Sequence, residues 1–121
     1  MFELVALMLM SQQPPEPFVE GMASYYTVAS SSSLTASGER LRDDELTCAM
    51  IDGEFGMYYL VVGASGRSVV VRLNDRGPFV GNRVIDLSKA AMRELHPTDG
   101  LMWVRVYKLG AKVPPDLAAN R

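Results

Sequence analysis

Four segments of the chain have the apolar, β-branched and aromatic composition that is typical of β-strands. They cover residues 21–28, 57–62, 68–73 and 101–109. The sequence Gly-Ala-Ser-Gly at 63–66 has the length and residue types of a hairpin turn, so it predicts that the second and third segments pair. In the fourth segment apolar and polar residues alternate, which indicates a strand with one face toward a core.

Short helices are predicted beside these strands. Ser88 is a suitable N-cap for a helix over residues 89–95, and Pro97 ends that helix. Residues 43–50 are also expected to form a helix, because acidic side chains stand at the start of the segment. Many short strands, one or two short helices and no regular β-α alternation predict a mainly β fold, a small β-barrel.

The composition describes an ordinary folded domain. A chain of 121 residues with 48% hydrophobic and 21% charged residues buries a core without disulfides or metals. The net charge of −2 gives no reason to expect nucleic acid as a partner. The single cysteine, Cys48, lies in an apolar stretch and is interpreted as buried, and His96 is interpreted as a cation at the end of the helix. Neither a metal nor another cofactor is expected.

The first ten residues are apolar but are too few to cross a bilayer, which takes about twenty. Glu3 stands where a secretory signal has basic residues, so no convincing signal peptide, lipidation site or membrane span is predicted. Residues 1–20 are interpreted as an apolar arm with a Pro-rich linker, and residues 1–17 of it as the part that packs on the domain or on a protein partner. The expected domain is 21–109, followed by a tail over 110–121.

Candidate chemistry is concentrated in residues 74–89. Asp75 follows an apolar strand at a tight Arg-Gly-Pro turn, and Asp86 follows a second short apolar segment. Two carboxylates at neighbouring strand ends, with arginines between them, are typical of an acid site on a β scaffold. The alternative is plain turn chemistry at Asp75 and capping of turn or helix-start amides by Asp86.

Five motifs in order resemble the double-psi β-barrel domain of the rare lipoprotein A family. They are Gly-Met-Ala-Ser-Tyr-Tyr, Thr-Ala-Ser-Gly-Glu, Leu-Thr-Cys-Ala-Met, Asn-Asp-Arg-Gly-Pro-Phe and Arg-Val-Ile-Asp-Leu-Ser-Lys-Ala-Ala, at 21–26, 35–39, 46–50, 74–79 and 83–91. Each motif is weak alone, and together they are specific. The resemblance implies a six-stranded double-psi barrel over residues 21–109.

The resemblance also implies an activity. Family members are lytic transglycosylases, which cleave peptidoglycan glycan strands without water and leave 1,6-anhydro-muramic products. One carboxylic acid is sufficient, acting first as acid and then as base, because the substrate supplies its own nucleophile. Asp75 matches the family's catalytic aspartate, Glu39 a supporting acid, and Asp86 an acid of related barrels in expansins and some endoglucanases.

The same motifs supply candidates for contacts with the glycan. The flat faces of aromatic side chains suit sugar rings, although aromatic residues on strands more often belong to a core. The candidates for substrate binding are Tyr25, Tyr26, Thr35, Asn74, Arg76 and Phe79.

One position departs from the family pattern. Where the family has a histidine on which activity is thought to depend, this chain has Met50, which neither donates a proton nor holds a carboxylate. Two functions therefore stay open: a transglycosylase in which Glu39 or Asp86 replaces the histidine, and a glycan-binding or structural barrel that has lost the chemistry. Because peptidoglycan lies outside the cytoplasmic membrane, a phage virion component and a bacterial envelope protein are both expected locations.

Overall fold

The computed structural model describes residues 15–31 and 33–118. Six strands lie within these ranges: β1 (Val19–Tyr26), β2 (Thr47–Ala49), β3 (Tyr58–Gly63), β4 (Ser68–Asp75), β5 (Arg83–Ser88) and β6 (Leu101–Gly110). A 3₁₀ turn covers Val28–Ser30, and two short helices follow, α1 (Lys89–Leu95) and α2 (Pro115–Ala118). The four segments predicted as strands therefore form strands, with ends shifted by a few residues.

The six strands close into a barrel in the order β1-β5-β2-β4-β3-β6. The pairs β1/β5 and β2/β4 are parallel, and the remaining neighbours are antiparallel. The 63–66 turn joins β3 to β4 as a hairpin, as predicted. Closure leaves no free sheet edge, and the two crossed parallel pairs confirm the predicted double-psi β-barrel.

The core lies inside the barrel, where alternate residues of each strand point inward. Fully buried side chains come from every strand and from α1, and each Val, Leu, Ile or Met among them contributes about 1.5–3 kcal/mol through loss of apolar surface. They include Ala23, Cys48, Val61, Val71, Leu73, Ile85, Leu87, Met92, Leu95, Val104 and Val106. The interpretation of Cys48 as a buried apolar residue is confirmed.

Helix α1 begins and ends as predicted, at Lys89 and Leu95. Ser88 caps it by accepting a hydrogen bond from the backbone N–H of Ala91 at 3.3 Å. At the other end Nδ1 of His96 lies 3.0 Å from the backbone nitrogen and 3.5 Å from the Oδ1 atom of Asp99, so the imidazole faces the loop after the helix. A cation at this end of the helix is Arg93, since its guanidinium donates to the carbonyl oxygens of His96 and Asp99 at 3.3 and 2.9 Å.

The helix predicted over residues 43–50 is wrong. Residues 43–45 form a turn, and Thr47–Ala49 is the short strand β2. Cys48 pairs with Leu73 of β4 on one side and with Leu87 of β5 on the other. Hydrogen bonding to two neighbouring strands overrides the weak local preference of three residues for a helix.

The structure describes only part of the predicted N-terminal arm and most of the predicted C-terminal tail. The apolar arm lies outside the described residues as far as residue 14, and residues 15–17 have no regular structure. In the predicted tail, β6 continues to Gly110 and α2 covers Pro115–Ala118.

Candidate active site

Asp75 and Asp86 lie in one row across neighbouring strands of the barrel. Ala49 of β2 pairs with Asp86 of β5 on one side and with Asp75 of β4 on the other. Residues paired in register present their side chains on the same face of a sheet. With strands about 4.8 Å apart, the two aspartate Cα atoms are about 10 Å from each other. Asp86 therefore stands in the middle of a strand, beside Asp75, and not at the strand end where the sequence predicted it.

A register shift between β2 and β4 decides which face of the barrel Asp75 occupies. Cys48 pairs with Leu73, whereas the next residue, Ala49, pairs with Asp75 and not with Asn74. Leu73 is buried in the core, and strict alternation would turn Asp75 inward as well. The extra residue moves Asp75 into the outer row, which is a common use of such irregularities near functional sites.

The loop 35–39 packs against the end of β4 and orients the Asp75 carboxylate. The backbone N–H groups of Ala36 and Arg76 each donate to Oδ1 of Asp75 at 2.8 Å. Within residues 15–31 and 33–118, no donor is hydrogen-bonded to Oδ2. One oxygen of the half-buried carboxylate is thus held by the backbone, while the other is available to carry a proton.

Glu39 supports this loop from the other end. Nη1 of Arg72 lies 2.9 Å from both carboxylate oxygens of Glu39, and Nδ2 of the buried Asn74 donates to Oε1 at 3.2 Å. The hydroxyl of buried Thr35 donates to the backbone carbonyl of Glu39 at 2.9 Å. The backbone N–H of Ser37 donates to the backbone carbonyl of Asn74 at 3.1 Å. The predicted residues Thr35, Glu39 and Asn74 therefore form one network under Asp75.

Tyr26 extends over the row of aspartates from β1. Burial raises the pKa of its hydroxyl, and the negative charge of Asp75, ahead of that of Asp86, raises the pKa further. The hydroxyl is buried and makes no hydrogen bond to any described residue. A neutral O–H group thus lies near both carboxylates without a partner of its own.

Ser24 and Ala36 complete the site, and sequence reasoning missed both. The Ser24 hydroxyl donates to Oδ1 of Asp86, with which Ser24 is also paired in the β1/β5 register. A signal for Ser24 was present, because residues two apart on a strand share a face and Tyr26 was already a candidate. Ala36 acts through its backbone N–H, a group that every residue except proline has, so its residue type gave no signal.

Arg76 points away from the carboxylate that precedes it. Its guanidinium donates to the carbonyl oxygens of Met50 and Gly53 at 3.3 and 2.7 Å, and it stacks on the ring of Phe55 with 4.3 Å to the centroid. Arg76 therefore fastens the 50–55 loop beside the site. Met50 is 1% exposed, so its side chain belongs to the core and not to the surface of the site.

Two predicted aromatic residues lie apart from the row. Tyr25 points to the opposite side of β1 from Tyr26, packs against the core and is covered by the guanidinium of Arg93 at 5.0 Å. Phe79 is 79% exposed on the turn after β4. Of the predicted aromatic candidates, Tyr26 is the one that faces both aspartates.

Among residues 15–31 and 33–118 no group of three or more His, Cys, Asp or Glu side chains is arranged to hold a metal ion. In the same part of the chain no helix has the length and apolar character needed to cross a membrane.

A closed barrel with two crossed parallel strand pairs defines a protein of the double-psi β-barrel class. Solved structures agree with this fold. An expansin from Clavibacter michiganensis aligns with a TM-score of 0.60 at 21% identity, over 79% of this chain and 52% of that chain. The Streptomyces papain inhibitor aligns with a TM-score of 0.57 at 23% identity, over 74% of this chain and 93% of that chain.

A family model described as Lytic transglycolase matches residues 19–106, so the chain belongs to that family. The endolytic peptidoglycan transglycosylase RlpA of Escherichia coli is 40% identical over 89 residues, which are 72% of this chain and 25% of that protein. The protein of the same name from Haemophilus influenzae is 43% identical over 77 residues, 63% of this chain and 27% of that protein. The chain thus spans about a quarter of the length of these curated relatives.

Proposed function

We propose that this barrel is a lytic transglycosylase that cleaves peptidoglycan glycan strands, with Asp75 as the acid and base. The observation that carries the proposal is the asymmetric setting of the Asp75 carboxylate. Two backbone N–H groups orient Oδ1, whereas Oδ2 has no donor among the described residues. The names of the relatives, which are endolytic peptidoglycan transglycosylases, supply the substrate and the reaction class.

The reaction needs one group that first gives and then takes a proton. Oδ2 of Asp75 donates its proton to the glycosidic oxygen as the bond from that oxygen to the anomeric carbon breaks. The 6-hydroxyl of the same muramic acid then attacks the anomeric carbon, and Asp75 accepts the hydroxyl proton. The product is a 1,6-anhydro ring, and Asp75 returns to its protonated state without consuming water.

Neighbouring groups support this cycle. The carboxylate of Asp86, on the same face, is placed to stabilise positive charge that develops on the sugar ring, because electrostatic interactions in a half-buried site are weakly screened. The Ser24 hydroxyl keeps Asp86 in place through its hydrogen bond. Tyr26 contributes a neutral O–H group near the two acids, since burial and their charges keep it protonated.

Digestion of purified glycan strands, with and without peptide stems, tests the proposal. Wild-type protein should release products that carry a 1,6-anhydro end, read by mass, and Asp75→Asn should not. Glu94→Gln is the matched control, because Glu94 is an exposed acid on α1. Absence of anhydro products from folded wild-type protein would overturn the assignment of an activity.

The burial of Met50 favours a second candidate function. The position of the family histidine is occupied by an apolar side chain inside the core. A barrel that binds glycan without cutting it, as a subunit of a larger assembly, fits this observation. Retention of glycan strands by a wild-type protein that yields no anhydro products would support this second function.

Both functions require access to peptidoglycan, so the proposed site of action is outside the cytoplasmic membrane. A virion component and an envelope protein each meet this requirement. A protein partner for the 1–17 arm belongs to the same proposal, and pull-down with and without that segment tests it.

A further inference from the structure

Trp103 is the sole tryptophan of the chain and is 48% exposed on the outside of β6. Residues alternate along this strand, with Met102, Val104 and Val106 buried and Leu101, Trp103 and Arg105 outward. A large aromatic side chain left this far in solvent gives up burial energy that a place in the core would supply. The barrel has no structural need for an indole ring at this outward position.

The indole ring is held in a defined orientation. Its Nε1–H donates to Oε1 of Glu20 on β1 at 3.2 Å. Nε of Arg105 lies 3.5 Å from the same oxygen, which fixes Glu20 in turn. An aromatic ring that is ordered before binding loses little conformational freedom when a ligand covers it.

Strand register connects this patch to the acidic row. Trp103 pairs with Met22, and Leu101 pairs with Ser24, so both lie on the face of β1 that carries Ser24. Ser24 pairs in turn with Asp86. From the spacing of strands and residues, the Cα atoms of Trp103 and Asp86 are about 12 Å apart on the outer side of the barrel, with the buried Ser24 between their strands. A ligand longer than one sugar ring reaches from one to the other.

We propose that Leu101 and Trp103 form an outlying sugar subsite for the glycan strand whose scissile bond lies at Asp75. This inference rests on the proposed function for its choice of ligand. The C–H groups on one face of a pyranose ring pack on the electron-rich face of an indole, so an exposed and oriented indole suits a sugar ring. Glu20 and Arg105 flank the ring and offer hydrogen bonds to sugar hydroxyl or acetamido groups.

The sole tryptophan also provides the measurement. The Asp75→Asn protein, in which cleavage is expected to stop, is titrated with stem-free glycan strands and with an N-acetylglucosamine tetramer while tryptophan emission is recorded. A saturable change in emission is expected with both ligands, since each is longer than one sugar ring. Trp103→Leu should lower the affinity, measured by calorimetry, about tenfold, the upper end of what loss of an aromatic contact costs. Trp103→Phe keeps an aromatic ring and should lose less affinity for the glycan than Trp103→Leu.

The outcomes separate this subsite from the proposed activity. Anhydro products from wild type, with unchanged emission and an unchanged affinity for Trp103→Leu, would overturn the subsite and leave the activity standing. A saturable emission change without any cleavage would support the subsite in a barrel that only binds. Thermal unfolding of each variant shows that it is folded, which the outward position of Trp103 leads us to expect.

Discussion

Asp75 and Asp86 are separated in sequence by a turn and a strand, yet both pair with Ala49, one from each side of β2. This relationship makes one site out of two acids that the sequence could only place near strand ends. It also explains why a strand of three residues matters, since β2 sets the spacing between the two carboxylates.

Asp75→Asn should reduce glycan cleavage by about 10²–10⁴-fold, the usual contribution of a general acid and base. Asp86→Asn should have a smaller effect, because its charge assists without transferring a proton. Initial rates of anhydro-product formation measure both. Equal losses in the two variants would contradict the division of roles.

Tyr26→Phe should lower cleavage about tenfold without lowering stability. The hydroxyl is buried and has no hydrogen-bond partner among the described residues, so its removal abolishes a donor and relieves a desolvation cost. Activity assays and thermal unfolding of the same samples provide the measurement. Unchanged activity would show that the hydroxyl takes no part in the reaction.

Met50→His should destabilise the fold by about 1–3 kcal/mol, because an imidazole in this buried position must find a partner or remain unsatisfied. Urea unfolding measures the change, with Met50→Leu as the apolar control. We expect no gain in cleavage from the histidine. A faster enzyme would instead show that the site lacks the group that its family carries there.

Ser88→Ala should cost about 1–3 kcal/mol of stability. The Ser88 hydroxyl donates to the carbonyl of Glu45 at 2.6 Å, and it accepts from the backbone N–H groups of Thr47 and Ala91 at 3.3 Å each. The side chain thus joins the start of α1 to the entry of β2. Ser88→Thr keeps the hydroxyl and should lose less stability. Urea unfolding of both variants measures the difference.

Stability should fall at alkaline pH. Burial raises the pKa of Cys48, for which the ordinary value is 9.0, and of Tyr26 and Tyr59, for which it is 10.0. Groups with a raised pKa keep their protons in the folded state and release them on unfolding, so their contribution is complete below pH 9 and is lost as pH rises toward the folded values. Urea unfolding between pH 8 and pH 11 tests this, and Cys48→Ala should flatten the lower part of the profile.

The thiol of Cys48 supplies an independent check on the folded state. It is fully buried, and the raised pKa leaves no thiolate at neutral pH. Labelling by a thiol reagent should therefore follow global unfolding and accelerate with urea. Rapid labelling of the native protein would show that β2 opens locally.

Strand composition, the Gly-Ala-Ser-Gly turn and the Ser88 cap determined most of the elements from sequence alone, because local residue preferences decide them. Asp75 and Asp86 stood out in the sequence as acids at strand ends, and the resemblance of the motifs to the family added Glu39 to the candidates. What local preference could not determine is any feature that depends on a partner strand. Residues 43–50 read as a helix in isolation, and Thr47–Ala49 became a strand only because β4 and β5 lie on both sides of it.

Tertiary structure also decided the content of the site. The register shift beside Asn74 turned Asp75 outward, and β1 supplied Ser24 and Tyr26 from at least 49 residues away in the chain. The outer face that joins Asp86 to Trp103 exists only after β6 pairs with β1. A sequence specifies which side chains are available, whereas strand pairing specifies which of them share a face, since that depends on contacts between distant segments.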